Sequence, residues 1–228
     1  MEPLFQITEN HLFLFDFDGL IVDTERIHFA AYQQMVQDRG YLLSWDFSAY
    51  CKAAHIGDSG IEDQMVSDIP ALKETPWEVL RKEKQEIYQS LIEKGHIHFM
   101  PGALDLLKLL AEKKIRHGIV TNSSRKQIEE IQRHLPFLQK VPFWITRDDA
   151  PRPKPYPDPY LLAVEKHGKK EDAIVGFEDT CKGAEALKAA NIPAILICDD
   201  DHPQLSCYDT AFLAARFPSL KDFLHHCK

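Results

Sequence analysis

The sequence predicts an α/β fold: a Rossmann-like doubly wound parallel sheet core with an inserted α-helical cap domain. Three observations predict it. The run "LFLF" ends abruptly in two acids at Asp16 and Asp18, as a fully buried strand ends at a polar rim. From Pro101 onward, apolar runs alternate with segments of helical period, which implies right-handed crossovers and a parallel sheet. Between these parts lies a stretch of about 75 residues, roughly 24–99, that carries helical patterning throughout.

His11–Phe17 reads as the first strand. Thr24–Arg39 reads as a helix, with Ile27, Ala30, Ala31, Met35 and Val36 near helical spacing, and Asp23 and Thr24 are expected to cap it. Gly40 ends it. Residues 41–76 are mixed and polar and suit short helices. Thr75-Pro76-Trp77-Glu78 is a helix start, with Thr75 as N-cap and Glu78 closing a capping box. Leu80, Ile87, Tyr88, Leu91 and Ile92 form its stripe. The later order is helix 103–113, strand 116–120, helix 125–134, a short strand near 143–145, helix 159–167 with Asp158 as N-cap, strand 173–177, helix 181–190 and strand 194–198. The expected domains are a core of residues 1–23 and 100–228 and a cap of 24–99.

Composition narrows the function classes. The 228 residues are 44% hydrophobic and 27% charged, ordinary globular values. A net charge of -8 argues against nucleic acid and anionic membranes as partners. Five scattered cysteines with no C-x-x-C pair argue against a disulfide framework or zinc site and for a reducing, cytoplasmic setting. No apolar run approaches the roughly 18 residues of a membrane span. A soluble cytoplasmic monomer is expected.

In open parallel sheets, ligands bind beyond the carboxyl ends of the strands. Collected there are Asp16 and Asp18, then Thr121, Asn122 and Ser123, then Lys154, then Glu178 and Asp179. One aspartate near a strand end is commonly a turn or cap residue; this collection suits phosphoryl transfer. Mg²⁺ takes hard oxygen ligands, which Asp16, Asp179 and the Asp18 carbonyl could supply. Thr121 Oγ and the Asn122 amide could hold phosphoryl oxygens, and Lys154 could neutralise charge on both the attacking carboxylate and the phosphate. A carboxylate beside a phosphate can act as nucleophile. A second acid two residues on can protonate the leaving oxygen and then activate water.

"DFDGLIVDT", "IVTNSS", "KPYPDPY" and "GFEDT", in that order, resemble the four motifs of the haloacid dehalogenase-like hydrolase superfamily. The branch they are similar to contains beta-phosphoglucomutases and small-metabolite phosphatases with a helical cap inserted after the first motif. The resemblance implies Asp16 as nucleophile and metal ligand, Asp18 as general acid/base, Thr121 and Lys154 as phosphate binders, and Glu178 and Asp179 at the metal. It implies a Mg²⁺-dependent phosphatase that acts on a small phosphate ester, such as a sugar phosphate, through an aspartyl-phosphate. Substrate would enter between core and cap. His28 matches a cap histidine involved in closure in the mutases, and His55 near Gly57 is a second cap candidate. The mutases grip a second phosphate with a cap Arg shortly after a Gly. The stretch "AAHIGDSGIED" has Gly57 but no Arg, which ranks a phosphosugar mutase second. A non-catalytic metabolite-binding protein on the same scaffold ranks third, since a binding module needs neither nucleophile nor proton shuttle.

Overall fold

The computed structural model describes residues 7–56, 58–199, 208 and 212–227, without the side chains of 55, 56 and 58. Six strands form one sheet in the order β3-β2-β1-β4-β5-β6, and every pairing is parallel. The strands are β1 His11–Phe15, β2 Arg116–Val120, β3 Trp144–Ile145, β4 Ala173–Glu178, β5 Ala194–Ile197 and β6 Leu213–Phe217. The helices are α1 Thr24–Asp38, α2 Phe47–Ile56, α3 Asp58–Asp68, α4 Trp77–Glu93, α5 Ala103–Glu112, α6 Arg125–His134, α7 Asp158–His167, α8 Cys181–Ala189 and α9 Leu220–His226. Among the described residues no helix is long and apolar enough to cross a membrane.

β1 is the sheet's centre. Leu12, Phe13, Leu14 and Phe15 are all at 0% exposure, and each contributes roughly 1.5–3 kcal/mol of burial. The two-residue strand period divides them. Leu12 and Leu14 pack with Tyr160, Ala163 and Leu187 of α7 and α8. Phe13 and Phe15 meet Phe177, which in turn meets Phe223 of α9 edge-on at 5.0 Å. Helices therefore cover both faces, as an all-parallel sheet requires. β2 lies on one side of β1 and β4 on the other. This is the strand order whose reversal point opens a crevice at the strand carboxyl ends.

The chain divides into two compact units, Met1–Asp23 with His98–Lys228 and Thr24–Ile97. The second unit is helical. Its core includes Tyr32, Met35, Val36, Trp45, Tyr50, Met65 and Leu80, and it buries the polar ends of its aromatics in pairs. Trp45 Nε1 donates to Asp68 at 2.6 Å, and the Tyr50 hydroxyl donates to Glu25 at 2.9 Å.

Several local expectations are corrected. Asp16 and Phe17 lie past the end of β1, although the Asp16 N–H still donates to the Phe177 carbonyl at 2.9 Å. Thr75 does not cap α4; its hydroxyl accepts from Arg39, and Pro76 takes the N-cap position without a side-chain bond. The Thr24 hydroxyl is buried without a hydrogen-bond partner among the described residues. Asp158 lies in the first turn of α7, with Pro157 at the cap, and its carboxylate pairs with Arg152. Ser124 does cap α6, in a capping box with Gln127. Against the expectation for the cysteines, Cys181 is disulfide-bonded, while Cys51, Cys198 and Cys227 are free. β6 and α9 had no counterpart in the sequence reading.

Candidate active site

Four sheet-end segments deliver polar groups to one place. Asp16 is the first residue beyond β1 and only 8% exposed. Glu178 ends β4 and is fully buried. Lys154, from the loop before α7, is 6% exposed; its Nζ donates to Asp16 Oδ1 at 2.5 Å and to Glu178 Oε1 at 2.6 Å. Residues with no separation constraint in sequence thus form one buried ionic knot.

The knot is held from outside. The Asn122 side chain clamps the backbone of Lys154: its Oδ1 accepts from the Lys154 N–H at 2.9 Å and its Nδ2 donates to the Lys154 carbonyl at 3.1 Å. That carboxamide holds the loop that carries Lys154. The Tyr160 hydroxyl donates to Glu178 Oε1 at 2.5 Å, and its ring lies 4.8 Å from the Lys154 ammonium. Tyr160 was missed in the sequence, although it closes the quoted "KPYPDPY"; a tyrosine at helical spacing reads as core. The Tyr208 hydroxyl donates to the Asp179 carbonyl at 2.6 Å.

Asp18 stands apart from the knot. Its Oδ2 accepts from Thr121 Oγ1 at 3.1 Å and from Ser123 Oγ at 2.7 Å. Ser123, collected at the strand end with no role of its own, holds the second acid. Thr121 sits at the end of β2, 1% exposed, and its hydroxyl also accepts from the Ser123 N–H.

Electrostatics divide the acids. Burial pushes the Asp16 carboxyl up to about 8; Lys154 pulls it down, while Glu178 and Asp18 push it further up. Burial works against the Lys154 charge too, but Asp16 and Glu178 outweigh it and hold the ammonium above its ordinary range. Of this pair, Lys154 keeps its proton and Asp16 is the member that resists ionisation.

The donor set suits a hard divalent cation. Carboxylate oxygens of Asp16, Glu178 and Asp179 lie within 4.8 Å of one another, and the one ammonium in the knot cannot neutralise three carboxylates. Gly19 makes space for this cluster: it has φ +81°, and a Cβ there would collide with the Asp179 carboxylate. Both the conformation and the clearance require glycine. The Asp18 carboxylate is not part of this cluster among the described residues.

Of the cap candidates, His28 lies in the helical unit. Its Nδ1 is 2.7 Å from Lys84 Nζ, and its ring stacks on Tyr88 at 4.1 Å. Burial, and then the Lys84 charge, lower its pKa well below the ordinary value, so the neutral ring accepts from the ammonium. Lys84 was missed because a lysine on a helix reads as solvated. The His55 side chain and Gly57 lie outside the described residues.

Known proteins are similar to this chain in sequence and fold. A phosphorylated carbohydrates phosphatase of Thermotoga maritima is 26% identical over 191 residues, 80% of this chain and 82% of that protein. Protein CbbY of Rhodobacter capsulatus is 25% identical over 190 residues, 80% and 83% of the two chains. The crystal structure of CbbY from Rhodobacter sphaeroides in complex with phosphate shares the fold with a TM-score of 0.69 at 22% identity, over 93% of this chain and 96% of that one. The family model for haloacid dehalogenase-like hydrolases matches residues 13–197, which span every strand-end residue described above. The chain belongs to the haloacid dehalogenase-like hydrolase family.

Proposed function

We propose that this chain is a Mg²⁺-dependent phosphatase that hydrolyses a small phosphorylated metabolite, with sugar phosphates the first class to test, through an aspartyl-phosphate on Asp16. The chain is a phosphoric monoester hydrolase by family and by its relatives. The residue roles, the metal and the substrate class are the proposal. The observation that carries it is the buried Asp16–Lys154–Glu178 knot beside Asp179, with a separately held Asp18.

Asp16 attacks phosphorus through a carboxylate oxygen. The ester P–O bond breaks, and Asp18 gives its proton to the departing alkoxide. Asp18 next takes a proton from water, whose oxygen attacks the phosphorus of the acyl phosphate. The Asp16–phosphorus bond breaks, inorganic phosphate leaves, and both acids return to their starting states. Lys154 offsets negative charge on Asp16 and on the phosphoryl oxygens. Thr121 and Ser123 orient Asp18, and the Thr121 hydroxyl can turn to a phosphoryl oxygen. Mg²⁺, held by Asp16, Asp179 and the Asp18 carbonyl with Glu178 behind them, would neutralise charge on the phosphoryl group and favour ionised Asp16.

Turnover of p-nitrophenyl phosphate tests this. Asp16→Asn should abolish it, and chelation should silence the native protein until Mg²⁺ is restored. Substantial Mg²⁺-dependent turnover by Asp16→Asn refutes the nucleophile assignment. Phosphate release over a panel of phosphorylated sugars, nucleotides and short acids then ranks substrates.

A further inference from the structure

We propose that the hollow at the opposite, amino-terminal edge of the sheet binds a small organic anion with a flat apolar body, at a site separate from the strand carboxyl ends. Its origin lies in the shortness of β3. β3 pairs with β2 only at Ile119 and Val120. The edge of β2 facing it is engaged where the Ile119 and Thr121 N–H groups donate to the Phe143 and Ile145 carbonyls at 3.1 and 2.9 Å. The period of two places His117 on the same edge, one step before β3 begins. A cavity of about 440 Å³ fills the gap.

The lining has a definite chemistry. Lys114, Arg116, His117, Lys140 and His167 line it together with Phe143, and no carboxylate does. That is out of keeping with a chain of net charge -8. Arg116 is cancelled by its ion pair with Asp172. Lys114 and Lys140 meet no carboxylate among the described residues, and they supply the charge for an anion. The flat wall is the Phe143 ring stacked on His167 at 3.7 Å and 10°. Phe143 lies against β2 because residue 118 is glycine; a Cβ there would run into the ring.

His117 adds a directional group. It is 3% exposed, and its Nδ1 is 2.8 Å from the Ile115 carbonyl. A carbonyl only accepts, so Nδ1 carries the proton and Nε2 is an acceptor, with no hydrogen bond of its own among the described residues. Burial disfavours the imidazolium, which keeps that acceptor available. The ligand that fits is an anion with an aromatic or otherwise planar body and a donor N–H or O–H.

Anilinonaphthalene sulfonate has this chemistry and reports binding by fluorescence. The native protein should bind it saturably at one site, with inorganic phosphate and Mg²⁺ failing to displace it. Lys114→Glu with Lys140→Glu should weaken binding at least about tenfold, while Lys52→Glu with Lys94→Glu in the helical unit should not. Ala111→Trp, on an exposed position of α5 that lines the hollow, should block it with every charge intact. Absence of saturable binding, displacement by phosphate, or retained affinity in the Lys114/Lys140 or Ala111 variants overturns the proposal. None of these substitutions touches the strand-end site, so the outcome is independent of the phosphatase reading.

Discussion

Asp16→Asn should stabilise the metal-free protein, and the gain should grow with pH. The native carboxyl is held up to about 8 in the fold, against an ordinary 3.8, with burial as the main cause. A group whose pKa is raised by folding supports the fold below its unfolded pKa, and that support is lost as pH climbs through the folded value. Stability due to Asp16 therefore declines between about pH 4 and about pH 8. Asparagine has no charge to suppress, and its Oδ1 can still accept from Lys154. One pKa unit corresponds to about 1.4 kcal/mol, so the ceiling from about pH 5 to about pH 8 is about 4 kcal/mol. Relaxation and water entry around the ionised group lower the expected gain to about 2 kcal/mol. For a chain of this size that is about 4–8 °C in Tm. Thermal unfolding of both proteins in chelator, at both pH values, measures it, and titrations common to the two cancel in the difference. Mg²⁺ should reverse the ranking, raising the native protein by about 2.7 kcal/mol at a hundredfold excess over Kd and the variant by much less. A variant no more stable than the native protein near pH 8, or an advantage independent of pH, would refute the claim that burial dominates at Asp16.

Two further outcomes are expected. Tyr160→Phe removes the hydroxyl that donates to Glu178; it should cost about 1.5–3 kcal/mol, as for hydrogen bonds to charged groups, lower Tm and weaken Mg²⁺ binding, both read from melts across a Mg²⁺ titration. Lys84→Met should raise the His28 pKa measured by NMR, because the Lys84 charge helps lower it, yet leave it below 6.5, because burial is the larger cause; an unchanged value would show that the 2.7 Å contact carries no coupling.

Much of the core was legible because a parallel sheet leaves an unusually direct record. Strands buried on both faces read as apolar runs, and the polar residues at their carboxyl ends read as the site. Asp16, Thr121, Lys154, Glu178 and Asp179 all stand where that logic puts them. The failures share a different cause: a residue's partner was distant in sequence. Arg39 takes the Thr75 hydroxyl from 36 residues away, so the local capping signal fails. Lys84 reaches His28 across 56 residues, and nothing within its own helix marks it as buried. The Asn122 carboxamide holds the Lys154 backbone, 32 residues on, a contact that nothing local marks. At β6, exposure alternates along "LAARF" with only Phe217 buried, which leaves too little apolar signal to mark an edge strand.

Burial links stability and chemistry at Asp16. A nucleophilic carboxylate in open water would be ionised but hydrated, and water would compete with the substrate for the phosphoryl group. Inside the knot Asp16 is shielded, at the cost of resisting ionisation. Lys154 alone does not reverse that cost, since the carboxyl stays near 8 with the ammonium 2.5 Å away. The carboxylate cluster explains why: Glu178 shares the ammonium and adds its own repulsion. A second positive charge, brought by a divalent cation at the three carboxylates, would lower the Asp16 pKa into the range that the proposed attack needs at neutral pH. Activity should then rise with Mg²⁺ most steeply below about pH 8, where the carboxyl is otherwise protonated, and the Mg²⁺ requirement should relax as pH rises past that value. A Mg²⁺ dependence that is the same on both sides would place the cation's role at the phosphoryl group alone.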